Sequence, residues 1–465
     1  MKRPNLRNLE LSPYGGPTQD LDGTIIPPSA EKDGKMTFIL EDPEGFSPQL
    51  AIPTEMAILL TLFDGQHTQE EILTTFEELS GIKMEAKELA EIVEHFDQLY
   101  FLDSPRFAAF LKKEMDHFFQ QENRPAMMAG GAYEKDPHML RLQLENYIQI
   151  PKKIRTVENT PDPPYKKKGI QALITPHIDP ERGAASYGWA YEALQKLNDS
   201  ELFIILGTAH NPMRQPFTLT RKSFETPLGI LPTDTDFIDK LHHLFLEKYN
   251  HICQEETISL QNKSDIKEAP DPFKDEFVHR DEHSIEFQTL FLQYALVCEK
   301  KRKVRIVPIL INSCMRFFET GKEGQEKTPI YTSEIRALIT ALTTLIQEEE
   351  ARTNKKVGII ATAEFSHIGP RYGSDPVDAD ARDLLKQEDI QLFTHILHGD
   401  TEGFWKTIFQ KHNKNNVYSI TTLFSFIELI KELGISLKDT GELLSYEQAV
   451  DEETLSCVTF GTLIF

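Results

Sequence analysis

The 465-residue chain has no apolar stretch approaching the ~20 residues needed for a bilayer-spanning helix, so a membrane is not an expected partner. Cysteine is scarce. Cys253, Cys298, Cys314 and Cys457 are scattered without metal-type spacing, which argues against a disulfide framework or a zinc knuckle and fits a reducing compartment. The segment from Met1 to Asp20 has early basic residues but no apolar core, so a secretory signal is not expected and the cytoplasm is the expected location. Clustered cations are missing from the first quarter: residues 1–123 hold 10 basic and 23 acidic side chains, −13 of the chain's −23. Phosphate backbones are bound mainly by grouped Lys and Arg, so nucleic acid is not an expected partner there. The acidic excess itself reads as solvated surface.

What remains is ordinary globular composition, 40% hydrophobic and 26% charged, in a chain long enough for two or three domains. Residues 1–35, rich in Pro, Gly, Asp and Asn, read as an irregular arm. Residues 36–104 follow a different rhythm. A strand over Met36–Leu40 is followed by a short helix over Glu55–Phe63 with Thr54 as its expected N-cap, then a helix from Thr68 to Leu79. Thr68 and Glu71 have capping-box spacing, and Gly81 is the expected stop. A third amphipathic helix over Ala86–Leu99 leads to Tyr100–Asp103, read as a closing strand. This is a winged-helix pattern. Through Ile52-Pro53-Thr54-Glu55, Phe63-Asp64-Gly65-Gln66-His67-Thr68 and Leu99-Tyr100-Phe101-Leu102 it resembles PqqD-like domains, which hold a peptide for a partner enzyme.

Residues 105–124 read as a helical connector, and residues 125–465 as an α/β domain. Strands are expected at 172–174, 202–206, 217–220, 304–311, 357–361 and 456–465, alternating with helices at 187–197, 236–249, 284–297, 333–347 and 423–433. Such alternation implies a three-layer architecture around a central sheet. The polar, Pro-bearing stretch 248–277 reads as a surface excursion.

Four short peptides carry the chemistry. Thr175-Pro176-His177-Ile178-Asp179 and Gly207-Thr208-Ala209-His210-Asn211 each place a histidine just past an apolar strand, where open α/β sheets build their crevices. Asp281-Glu282-His283-Ser284-Ile285-Glu286 opens a helix, with His283 and Glu286 on one face. Ala363-Glu364-Phe365-Ser366-His367 follows another strand and pairs a carboxylate with an imidazole. Two histidines with one carboxylate is the non-haem Fe(II) arrangement, and the same donors suit zinc or copper. The bland alternative is that, with 15 histidines in the chain, any single one is a surface or hydrogen-bonded structural residue.

These motifs occur in one order with Ala129-Gly130-Gly131-Ala132-Tyr133, Tyr187-Gly188, Ala190-Tyr191, Glu225-Thr226-Pro227-Leu228-Gly229, Val307-Pro308-Ile309-Leu310 and Ser445-Tyr446. Residues 125–465 thereby resemble the MEMO family, also called AmmeMemoRadiSam system protein B, whose fold is similar to class III extradiol dioxygenases. The resemblance implies a metal, iron or copper, on two histidines, an acidic residue and a late cysteine. His177, His210 and Glu364 match the first three, with Glu364 where many members have Asp. In the stretch His412-Asn413-Lys414-Asn415-Asn416, Asn416 stands in place of the thiolate.

The expected function is therefore a metal-dependent, dioxygenase-like enzyme using Fe(II), copper or zinc and acting on a small molecule or peptide. His283 or His367 would be its acid/base, with Asp281, Glu286 and Asn416 as further pocket residues. A radical-SAM enzyme is a partner implied by the family's name. The competing expectation is a non-catalytic scaffold that binds a peptide or protein in the same pocket, which the Asn416 replacement favours. Hydrolysis by a Ser/His pair is disfavoured, because neither Ser284 nor Ser366 sits in a Gly-x-Ser-x-Gly elbow. A DNA-binding role for the winged-helix pattern is opposed by its acidic charge.

Overall fold

The computed structural model describes residues 1–13, 18–19, 25–26, 36–158, 165, 169–260, 270–313, 318–319, 330–410, 413–435 and 441–465. They form two compact units: Met1–Gln121 with Ile368–Asp378 and Val450–Ser456, and Glu122–His367 with Ala379–Ala449 and Cys457–Phe465.

The smaller unit has an antiparallel sheet, Glu10–Pro13, Thr37–Glu41 and Leu50–Pro53 in that order, with helices Thr54–Thr61, Gln69–Ser80, Ala86–Gln98 and Pro105–Gln120. The expected capping box is present: the Thr68 hydroxyl accepts from the Glu71 N–H, and Glu71 accepts from the Thr68 N–H at 2.8 Å. Gly81 ends that helix at φ 72°. Leu59, Ile72, Phe76, Leu89, Val93 and Phe101 fill the core. Three local readings are corrected. Thr54 is not a cap, since Pro53 holds that position and the Thr54 hydroxyl donates to the Met36 carbonyl. Part of the arm is ordered by pairing, because Glu10–Pro13 lies against Thr37–Glu41, and buried Arg7 reaches both Asp42 carboxylate oxygens. The closing strand at 100–103 does not form: Tyr100 takes φ 64°, which breaks the extended path, and Leu102 keeps a single bridge to Leu6.

The larger unit is a three-layer α/β domain. Its eight-stranded sheet contains β1 (Ala172–Thr175), β2 (Leu202–Ala209), β3 (Phe217–Leu219), β4 (Arg305–Asn312), β5 (Gly358–Thr362), β6 (Glu364–Ile368), β7 (Glu442–Asp451) and β8 (Ser456–Ile464). The order is β6-β8-β1-β5-β2-β4-β3, with β7 beside β8. The four central strands β1, β5, β2 and β4 run parallel, while β3 and β8 pair antiparallel with β4 and β1. Parallel strands covered on both faces read as continuous apolar runs, as β1, β2 and β5 do. Alternate residues feed two cores. Ala172, Ile174, Leu202, Ile204 and Leu206 face a layer containing α2 (Thr235–Leu260), α4 (Ser333–Thr353) and α6 (Ile420–Glu432). Leu173, Phe203 and Ile205 face α1 (Ala184–Leu197) and α3 (His283–Leu292), together with Pro137–Ile148.

The chain over 248–260 is helix rather than excursion, because Tyr249 and Ile252 extend the buried stripe of Ile238, Leu241 and Phe245. Residues 261–269 of that segment lie outside the described residues. Helix α5 (Ala379–His398), the helix Thr401–Gln410 and β7 were not expected from the sequence. Every residue of β7 is half-buried, so it shows no two-residue alternation of burial. Among the described residues, no helix is long and apolar enough to cross a membrane.

Candidate functional site

Neighbouring parallel strands β1, β5 and β2 end together, and the chain leaving each delivers a site residue. His177 lies two residues past β1, Glu364 two residues past β5, and His210 directly after β2. This is the carboxyl-end crevice of an open α/β sheet. His283 comes from the first turn of α3, which sits close against β2 because residue 207 is glycine. A Cβ there would lie 2.5 Å from Ile285 Cγ1 and 2.8 Å from Ser284 Oγ.

Three imidazoles converge. Ring centroids are 5.0 Å apart for His177 and His210, 5.8 Å for His177 and His283, and 4.7 Å for His210 and His283. Glu364 Oε2 lies 3.9 Å from His177 Nε2 and 3.0 Å from His367 Nε2. On the other side of His177, Nδ1 meets the Thr362 hydroxyl at 3.2 Å.

Glu282 completes the cluster, whereas the sequence points to Asp281 and Glu286 of the same hexapeptide as its pocket carboxylates. It caps α3 by accepting from the Ser284 N–H at 2.9 Å, and it accepts from the His210 backbone N–H at 2.7 Å. His210 Nδ1 lies 3.0 Å from the same carboxylate. A carboxylate one residue before a helix start was the available signal. Ligand atoms of His210, Glu282 and His283 all fall within 4.8 Å of one another.

The other anticipated residues take different positions. The Glu286 carboxylate is bound by Arg124 and Tyr133, both buried, and accepts from the Met128 N–H at 2.9 Å, so it acts as an internal anchor. Asp281 pairs with Arg280 at 3.1 Å. Asn416 Nδ2 donates to the His367 carbonyl at 3.2 Å, so it touches the backbone of a site residue. His412 lies outside the described residues.

The electrostatics follow from burial and from the two carboxylates. His177 is 1% exposed, and burial pushes its imidazole down to about 3 despite Glu364. Burial and the neighbouring His210 also lower His283. The surroundings of His210 disfavour its charge, but the Glu282 carboxylate outweighs them and raises it. Burial opposes ionisation of both Glu364 and Glu282, yet adjacent imidazoles hold each well below the usual carboxylate range. Imidazoles, two of them (His177 and His283) shifted by burial toward the neutral form, beside ionised carboxylates form a donor set suited to a divalent transition metal.

Fold and crevice together define an α/β protein with a His/Glu cluster at its strand ends. Residues 124–464 match the family model described as Memo-like protein, and the chain belongs to that family. A MEMO1 family protein of Aquifex aeolicus is 24% identical over 465 residues, spanning all of both chains. One of Thermus thermophilus is 22% identical over 400 residues, covering 85% of this chain and 98% of its own. Another, of Pyrococcus furiosus, is 27% identical over 293 residues, covering 61% and 80%.

Proposed function

We propose that this chain is a metal-dependent enzyme of the Memo-like family, with Fe(II) or copper, and zinc as third candidate, held by His177, His210 and Glu364. The observation that carries this reading is the convergence of three imidazoles and two ionised carboxylates at the ends of β1, β5 and β2. Such an ion, when bound, would polarise a substrate oxygen or activate dioxygen. The protein's own groups have separable tasks. His177, neutral through burial, keeps a lone pair for coordination. Glu282 holds the proton of His210 on Nδ1 and leaves Nε2 as the donor. His367, hydrogen-bonded to Glu364, is the group that accepts or returns a substrate proton, with His283 as the second candidate. The substrate class is a small molecule or peptide.

A second reading, a non-catalytic scaffold that binds a peptide or protein in the same pocket, draws support from Asn416. Its amide hydrogen-bonds a backbone carbonyl, and it offers no thiolate. Elemental analysis of anaerobically purified protein separates the two. The enzyme reading expects about one iron or copper per chain, lost in His177→Ala and His210→Ala. Wild-type protein that stays metal-free after anaerobic reconstitution favours the scaffold.

A further inference from the structure

The Glu-Phe-Ser-His and Ser-Tyr motifs share a partner that the site does not use. Asp389, on α5, is completely buried. Its Oδ1 accepts from the Ser366 hydroxyl at 2.6 Å and its Oδ2 from the Tyr446 hydroxyl at 2.9 Å. The Thr459 hydroxyl on β8 also hydrogen-bonds Asp389 and accepts from the Ser366 backbone N–H at 2.9 Å. Ser366 is the middle residue of β6, between Glu364 and His367. A carboxylate on a helix thus ties down the strand that carries half of the candidate site, from three neighbouring elements. Burying an ionisable group this completely is costly unless its hydrogen bonds are made, and here hydroxyls make them.

We infer that Asp389 is a positioning residue for the site: through Ser366 it fixes the setting of β6 and so aims the Glu364 carboxylate and the His367 imidazole into the crevice. The inference rests on the metal reading only for its first readout. A carboxamide at this position has one acceptor oxygen where three hydroxyls now hydrogen-bond a carboxylate, so Asp389→Asn must leave Ser366, Tyr446 or Thr459 unsatisfied or reoriented. Groups hydrogen-bonded directly to a metal ligand typically contribute 10–100-fold to metal affinity, and Asp389, acting through Ser366, is expected at the lower end of that range.

The experiment is anaerobic Co(II) titration of the full chain, followed by visible absorption, for wild type, Asp389→Asn, Glu364→Gln and the double variant. The expected result is a loss of about tenfold or more in Co(II) affinity for Asp389→Asn, and no further loss when it is added to Glu364→Gln. A purely structural role predicts the opposite pattern, with affinity unchanged or the same factor lost in both backgrounds, and either result overturns the inference. Should Asp389→Asn fail to fold, Tyr446→Phe removes one donor and keeps the carboxylate. A smaller loss of the same kind supports the inference, and an unchanged affinity in that folded variant overturns it. Metal-free protein supplies the second readout, the ring-nitrogen NMR signals of His367 and His177. Both should shift in Asp389→Asn or Tyr446→Phe, and unshifted signals overturn the positioning role. Wild-type protein that takes up no cobalt defeats the metal reading alone, and the imidazole signals then decide the role of Asp389.

Discussion

The candidate site has two halves built from the same chemistry by different means. One half is helix-borne: Glu282 and His283 open α3, and Glu282 grips His210. The other is strand-borne: Glu364 and His367 are the first and fourth residues of the five-residue strand β6 and hydrogen-bond each other. In the helix-borne half a single carboxylate both caps the helix and orients an imidazole, so local secondary structure and site geometry share the same bonds. The strand-borne half has no such economy. Its geometry comes from outside, through Ser366 to Asp389, the Glu364 N–H to Ser419, and Asn416 to the His367 carbonyl. Damage to the first half should therefore appear in stability and site together, whereas damage to the second can leave the fold standing.

The largest expected effect is at the anchor of the helix-borne half. Arg124 and Glu286 are both fully buried, and Arg124 also donates to the carbonyls of His279 and Glu282. Glu286→Ala leaves a buried guanidinium without its counter-charge, which costs about 3–5 kcal/mol in comparable pairs. Urea denaturation should show a loss of that size. A loss under ~1 kcal/mol, the usual range for an exposed pair, would mean that the anchor is solvated in solution.

Next is the contact of α3 with β2. Gly207→Ala adds a methyl where Ile285, Ser284 and Leu310 already sit within 2.9 Å. Overpacking of this sort costs about 1–3 kcal/mol. It should also displace Glu282 and His283, so weakened metal uptake is expected alongside the lower stability. Normal uptake in a destabilised variant would separate what the comparison joins.

The third test uses pH on the metal-free protein. His177 titrates ordinarily at 6.5 when unfolded and at about 3 when folded. Between those values the unfolded chain binds the extra proton, so stability rises with pH, is complete above 6.5 and is lost as pH falls through the window. From pH 7 to pH 5 this group alone removes ~2 kcal/mol. His210 has the opposite sign: its raised folded value favours folding at low pH, a contribution lost as pH climbs through that value. The wild-type decline should therefore be steeper than that of His177→Asn. Parallel curves would show that the His177 ring is solvated.

Much of the site was legible in the sequence. His177 and His210 followed uninterrupted apolar runs, and a histidine just past a buried parallel strand must come out at the crevice. Asp281 stands out by residue type and Glu286 by its three-residue spacing from His283, but neither type nor spacing says where a carboxylate turns. Glu286 met a buried arginine 162 positions away, and Glu282 was hidden by its adjacency to His283. The strand-borne half was only partly visible, since Glu364 and His367 could be named but their supports on α5 and β8 could not. Asp389 is separated from Ser366 by 23 residues, and helix α5, which carries it, went unread. Long-range hydrogen bonds leave no periodicity in a sequence. The same limit explains β7, half-buried along its length, whereas the capping box at Thr68 is a local interaction and could be read directly.

Asn416 offers the finest test of the comparison, because it belongs to the strand-borne half and stands where the family resemblance places a thiolate. Its backbone lies at φ 47°, in the left-handed region that asparagine tolerates better than most residues, and its amide donates to the His367 carbonyl. Asn416→Cys gives up both advantages, so a stability loss of about 1 kcal/mol is expected. Against that small loss it introduces a soft, ionisable donor one residue contact from His367, and iron or copper affinity should rise. The two changes are measured separately, stability by denaturation and affinity by anaerobic titration with metal analysis. A gain in affinity without a change in fold would show that the strand-borne half can be retuned from its supports, as its construction implies. Unchanged affinity with the expected stability loss would place residue 416 outside the ion's reach, leaving it to hold the His367 backbone and nothing more.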